Sequence, residues 1–260
     1  MVIDCHVHYD GKPGELDSLL RVCDAVGTDK CVVFSCESND AVLAAAQAHP
    51  DRLIPFAYFA LGTDPTLRIN QFHERGFRGI KFIFPRAAYN APQYHEVYRR
   101  MEERGMAALF HLGIVARRRD MQPDDNDSNR CRPIHLDHIA RLFPRLSILG
   151  AHFGNPWYEE AAMAARWNAN LWFDLSGSSL KAKSPEFFRA LLWWDRAGHP
   201  YTGHGGKHPF DKICYGTDVA HEWMADVRHD YQVLLDGMGV PPEYRSKIMG
   251  GNASEYLGLG

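Results

Sequence analysis

Apolar and polar positions along the chain follow two alternating rhythms. Short apolar runs with the length and composition of buried strands occur at 2–8, 31–35, 53–59, 79–84, 107–112, 146–152, 171–176 and 213–217. Between them lie stretches with the three-to-four-residue spacing of amphipathic helices, at 14–26, 39–48, 65–75, 92–104, 135–143, 157–168, 185–196 and 222–237. A last helical pattern, near 241–257, follows two prolines. Strands that alternate with helices form parallel sheets, and eight such units in 260 residues predict a (β/α)8 TIM barrel. Such barrels commonly take about 250 residues as one unit, so 1–260 reads as a single domain. The segment 113–134, after the fifth strand, breaks the rhythm. With Arg117-Arg118-Arg119-Asp120 and Asp124-Asp125-Asn126-Asp127 it is too polar for a core, and a mobile lid and a solvated loop fit it equally.

Composition narrows the function classes. A hydrophobic share of 45% is enough to fill a large core, and a net charge of −3 does not mark a polyanion binder, so no nucleic-acid partner is expected. No apolar run approaches the roughly 20 residues of a membrane span, and no basic leader precedes the first strand. The expectation is a soluble cytoplasmic protein, without a membrane partner, that begins near Met1. The cysteines, at 5, 23, 31, 36, 131 and 214, form no CxxC pair and read as reduced thiols. Homo-oligomerisation stays open.

Barrel active sites lie at the C-terminal ends of the strands. The first strand carries Asp4-Cys5-His6-Val7-His8, where simple alternation places Asp4, His6 and His8 on one face and Cys5 and Val7 on the other. Two imidazoles two residues apart on a strand can bind one divalent ion. The fourth strand carries Lys81, the fifth ends in Phe110-His111-Leu112-Gly113, the sixth in Gly150-Ala151-His152-Phe153-Gly154, and the eighth in Tyr215-Gly216-Thr217-Asp218. Histidines at three strand ends and an aspartate at a fourth favour a metal site over satisfied core histidines. Arg86 and Tyr89 follow strand 4, Trp157 follows strand 6, and His221 and Trp223 follow strand 8. Of these, Arg86, Trp157 and His221 are candidate substrate contacts, Arg86 because its guanidinium fork suits a carboxylate; surface solvation is the alternative for each. The histidine-rich segment 199–208 leads from a helix into strand 8, hence on the opposite face, and reads as a Gly/Pro loop rather than a second metal site.

This pattern resembles the amidohydrolase superfamily, and within it the amidohydrolase-related (amidohydrolase 2) family of metal-dependent TIM-barrel hydrolases and decarboxylases. The resemblance spans the chain: Asp4-Cys5-His6-Val7-His8, His111, His152-Phe153-Gly154, Asp174-Leu175-Ser176-Gly177, Gly216-Thr217-Asp218 and Gly251-Asn252-Ala253. It implies that His6, His8, His111 and Asp218 bind one divalent metal and that His152 contacts the metal-bound water. Zn2+ is the default for this nitrogen and oxygen set, and Mn2+ or Fe2+ also suit it. His152 and Asp218 are then the catalytic pair, Asp218 able to take a proton from the water and His152 to orient it or stabilise an oxyanion. Some superfamily members carboxylate a strand 4 lysine to bridge two metals, so Lys81 is a candidate second-metal ligand or, alternatively, a substrate contact. Asp4 either fixes a ring tautomer or bonds nearby backbone.

The function expected first is a metal-dependent hydrolase that turns an activated water on a small-molecule amide, ester or lactone. The alternative is a metal-dependent, non-oxidative decarboxylase of a small carboxylated substrate, with the same ligands. The chain is shorter than typical decarboxylases of the family, which favours hydrolysis. A TatD-type deoxyribonuclease ranks third, because that group typically carries a glutamate ligand on strand 4 and a Glu-Thr-Asp near strand 8; this chain has Lys81 and Gly216-Thr217-Asp218.

Overall fold

Every apolar run forms a strand in the computed structural model, which describes residues 1–115, 127–177, 183–193 and 207–259. The strands are β1 (Ile3–His8), β2 (Lys30–Phe34), β3 (Leu53–Tyr58), β4 (Gly79–Phe82), β5 (Ala107–Phe110), β6 (Ile148–Gly150), β7 (Leu171–Asp174) and β8 (Ile213–Cys214). Each pairs in parallel with the next, in chain order. Two backbone bonds close the ring: Cys5 N–H donates to Tyr215 O at 2.9 Å, and Asp218 N–H to His6 O at 2.8 Å. Between the strands run α1 (Glu15–Val26), α2 (Asn39–Ala48), α3 (Arg68–Arg75), α4 (His95–Glu103), α5 (Ile134–Leu142), α6 (Tyr158–Trp167) and the helices Pro185–Leu191 and Met224–Met238. The expected (β/α)8 barrel is therefore the fold.

Period-2 alternation divides the apolar side chains into two layers. Cys5, Phe34, Phe56, Leu109, Leu149 and Trp172 pack together in the lumen, which Tyr256 of the C-terminal helix closes from below. Val33, Ile80, Phe110, Ile148 and Phe173 point outward into the layer beneath the helices. On β4 the lumen position is Gly79, where a Cβ would stand 2.3 Å from the Phe56 ring, so that ring takes the space. The same alternation carries Lys81, His111 and Asp174 to the upper rim of the lumen.

On β1 the simple alternation fails. Between Asp4 and Val7 the register to β2 shifts by one residue, a β-bulge. Cys5 belongs to the lumen layer and Val7 to the outer one, so the two do not share a face. Asp4 turns to Thr217, accepting from its N–H at 3.1 Å and its hydroxyl at 2.7 Å. The extra residue lets His6 face inward directly after Cys5, with His8 on the same side.

Other elements are shorter or more broken than the pattern suggests. The ladder of β8 ends at Cys214, because Tyr215 N–H donates to Ile248 O instead. The expected helix 241–257 is three pieces: Pro242–Ser246, a π-turn at Lys247–Gly251 and Asn252–Leu257. Its Gly250 packs on the N-terminus, where a Cβ would come 2.1 Å from Met1 O. The centre of the candidate lid (116–126) and His199 and His204 lie outside the described residues. His208 caps the turn Pro209–Lys212 that enters β8, on the face opposite the strand ends, as expected for a connecting loop. Five cysteines are buried and Cys36 is exposed. Among the described residues no helix is long and apolar enough to cross a membrane.

Gly113 shows how tightly the rim is built. Its φ is +90°, and a Cβ there would lie 1.9 Å from Asn155 O, which itself accepts the N–H of Ile114. Gly113→Ala should lower stability by about 2–3 kcal/mol, because left-handed strain and a backbone clash act together. Thermal unfolding in the presence of a chelator tests this; an unchanged midpoint would show that the rim can yield.

Candidate metal centre

The C-terminal rim of the barrel gathers four imidazoles, two carboxylates and an amine. His6 Nε2 and His8 Nε2 lie 3.2 and 3.0 Å from the same Asp218 oxygen, Oδ1. These three residues offer ligand atoms all within 4.8 Å of one another. His6 is buried, whereas His8 is 43% exposed and opens the centre to solvent. A 600 Å³ cleft beside it is lined by His8, Asp218, Lys12 and His221. The cleft opens onto the cluster from the β1 and β8 side.

Backbone geometry aims these side chains. His152 directly follows the lumen residue Ala151, so strand alternation would face it outward. It adopts φ 60° instead, followed by Phe153 at φ 45°, and Asp218 has φ 49°. Left-handed backbone is costly for residues other than glycine, and such outliers concentrate at functional sites. The result sets His152 Nε2 3.2 Å from His111 Nδ1 and 3.4 Å from Asp218 Oδ2. His111 therefore reaches the cluster through His152, while its own Nε2 is buried without a hydrogen-bond partner among the described residues. Asp218 is tied to β1 by its backbone bond to His6 O.

Charge at the rim is set by burial and by mutual pairing. Burial holds the His6 imidazole down to about 4, against the pull of Asp218 and Asp174, so it is neutral at pH 7 with a lone pair to offer. Burial, then His152 and Lys81, hold His111 well below its ordinary value. Burial alone would raise Asp218, but His6, the bond from His8, His152 and Lys81 together hold it well below the carboxylate range. It is an anion beside the neutral imidazoles of His6 and His111, a donor set that fits a divalent cation. The orphaned Nε2 of His111 fits one as well.

Lys81 is buried, with Nζ 2.9 Å from His6 Nε2 and 4.6 Å from the centre of the Phe34 ring. No carboxylate lies within 4 Å of it among the described residues, and burial lowers its pKa. The amine thus competes with a metal ion for the His6 nitrogen.

The other candidates separate. His221 lines the cleft and sits 2.9 Å from Ser18 Oγ. Arg86 is exposed, with its Cβ and Cγ packed against Gly62. The Trp157 ring lies under the Arg132 guanidinium, 5.3 Å away. Tyr89 is fully buried and donates to His111 O at 2.9 Å, supporting that residue from behind. Asp4 accepts the His6 N–H at 3.0 Å, so its role is with backbone and Thr217; burial pushes it up to about 7. The imidazole of His6 is held instead by Asp174, whose Oδ2 lies 2.9 Å from Nδ1. Asp174 and Ser176 carried no role in the sequence beyond their part in the resemblance. The available signal was a carboxylate one alternation beyond the lumen residue Trp172.

A family model described as Amidohydrolase matches residues 3–259. An uncharacterized TIM-barrel protein from Bordetella bronchiseptica is similar over 99% of this chain and 98% of its own, at 17% identity and a TM-score of 0.72. A 2,6-dihydroxybenzoate decarboxylase from Rhizobium is similar over 99% and 98%, at 14% identity and 0.67. A 5-carboxyvanillate decarboxylase from Novosphingobium aromaticivorans, complexed with manganese and 4-hydroxy-3-methoxy-5-nitrobenzoic acid, is similar over 100% and 96%, at 14% identity and 0.66. At such identities the structures establish the shared barrel. No curated protein matches the chain by sequence.

Proposed function

Because the chain belongs to the amidohydrolase family, we propose that it is a metal-dependent hydrolase acting on a small-molecule amide, ester or lactone. The observation that carries this reading is the convergence of His6, His8 and Asp218 at the open end of the barrel. These residues would hold one divalent ion, with His111 as the further ligand; Zn2+ is the default, and Mn2+ and Fe2+ also suit the set. When bound, such an ion supplies Lewis acidity and lowers the pKa of water from 15.7 to about 7.

The chain's own residues would do the rest. Asp218 Oδ2 would offer an acceptor to a water beside His152 Nε2, which lies 3.4 Å from that oxygen and 3.2 Å from His111 Nδ1. That arrangement suits proton removal from a nucleophilic water and return of the proton to a leaving group. The cleft with His221 and Lys12 would take the body of the substrate. A cytosolic setting fits the reduced cysteines.

Lys81 favours a second reading, decarboxylation. A buried amine without a carboxylate within 4 Å is suited to hold a substrate carboxylate beside the centre. Two structurally similar proteins are named as decarboxylases. Product analysis separates the two. Label from isotopic water should enter a carboxylic acid product without release of carbon dioxide if the enzyme hydrolyses. Stoichiometric carbon dioxide, with one solvent hydrogen on the product carbon, would overturn hydrolysis and leave the metal assignment intact.

A further inference from the structure

We propose that Ser176, held by Asp174, is a positioning residue that keeps a proton on Nδ1 of His152, so that Nε2 is the nitrogen that exchanges protons at the centre. This rests on reading His152 as the acid–base group. The argument itself needs only donor and acceptor chemistry. Asp174 Oδ1 accepts the backbone N–H groups of His152, at 2.8 Å, and of Ser176, at 3.0 Å. Those donors have no alternative role. The same oxygen takes the Ser176 hydroxyl at 2.5 Å. A hydroxyl carries one hydrogen, and here it points at the carboxylate. Ser176 Oγ therefore turns a lone pair to His152 Nδ1, 2.9 Å away, and that nitrogen must be the donor. The reverse arrangement would leave Oγ and Oδ1 2.5 Å apart with no hydrogen between them.

The consequence reaches the opposite edge of the ring. Nε2, which faces Asp218 Oδ2 and His111 Nδ1, is left as the nitrogen free to gain or lose a proton. His111 Nδ1 then donates to it when His152 is neutral, which leaves His111 Nε2 bare, the same atom found buried without a partner. The other Asp174 oxygen accepts from His6 Nδ1, which leaves His6 Nε2 as a lone pair on the ligand side. One carboxylate, directly and through Ser176, orients imidazoles on two different strand ends. Ring tautomers set by the bond at the far nitrogen are a recurrent device of metal sites, and losing such a partner typically costs about 10–100-fold in metal affinity or activity.

The test reads the tautomer directly. In full-length protein with 15N-labelled histidine, metal-free and zinc-loaded, long-range proton–nitrogen correlations report which ring nitrogen of each histidine carries hydrogen. The His152 signals are those missing in His152→Gln. The expected result is a protonated Nδ1 in wild type and in Ser176→Thr, which keeps the hydroxyl. In Ser176→Ala the Nε2–H tautomer should appear, with unchanged metal content and kcat about 10–100-fold lower. A wild-type His152 with a bare Nδ1, or a Ser176→Ala spectrum identical to wild type, overturns the proposal. Should Ser176→Ala fail to fold, the wild-type spectrum decides alone. Loss of the functional reading, for instance by a protein that binds no metal, would leave the tautomer result standing in the metal-free form.

Discussion

Replacing His6 and His8 together by alanine should strip the protein of its divalent ion and of its activity. The two imidazoles share Asp218 Oδ1 as a neighbour, and the double substitution leaves of this cluster only the carboxylate. Asp218, even with His111, offers too few donors to retain a divalent ion against water, whereas three or four converging donors do. Without the ion, the pKa of an attacking water returns from about 7 towards 15.7, so turnover should fall to background. Elemental analysis of wild type should give about one ion per chain, as three or four donors around one point imply. Full metal content in the double variant would sink the ligand assignment. Two tightly held ions per wild-type chain, with a carboxylated Lys81, would favour a binuclear centre. The fold should survive, because His8 is partly exposed and the lumen below it is filled by Cys5 and Phe34 rather than by the imidazoles.

His152→Ala should show the opposite pairing of effects: metal retained, activity lost. His152 approaches the cluster from β6, 3.4 Å from Asp218 Oδ2, but is not among the three residues whose ligand atoms converge. Its loss removes a proton-transfer group and one wall of the spot that faces Asp218, for which about a 10²-fold or larger drop in kcat is expected. The variant also removes the bonds of His152 to Ser176 Oγ and to His111 Nδ1, so a modest fall in thermal stability should accompany it. Metal content and kcat measured on one preparation separate the roles. An active, metal-loaded variant would remove His152 from the mechanism, and a metal-free one would make it a ligand.

Several site residues were legible because they obey local rules. His111 follows the lumen residue Leu109 by one alternation, and Lys81 follows Gly79 in the same way. An apolar strand that ends in a polar side chain is a feature of the chain alone. Arg86 and Trp157 were equally visible, but their packing neighbours, Gly62 for Arg86 and Arg132 for Trp157, lie tens of residues away in the chain.

The sequence by itself determined the barrel, the rim on which the histidines gather and the residue types found there. Hydrophobic period and strand–helix alternation are local, and each run is long enough to bury only one way. Only the tertiary structure decided where those side chains point. The bulge between Asp4 and Val7 turns His6 inward behind Cys5, and left-handed backbone turns His152 and Asp218 to meet it. Asp174, with no assigned role in the linear pattern, becomes the anchor of both His6 and His152. These outcomes depend on hydrogen bonds between residues as far apart as Asp4 and Thr217. Such bonds compensate the local cost of a bulge or a positive φ only once the ring of strands has closed.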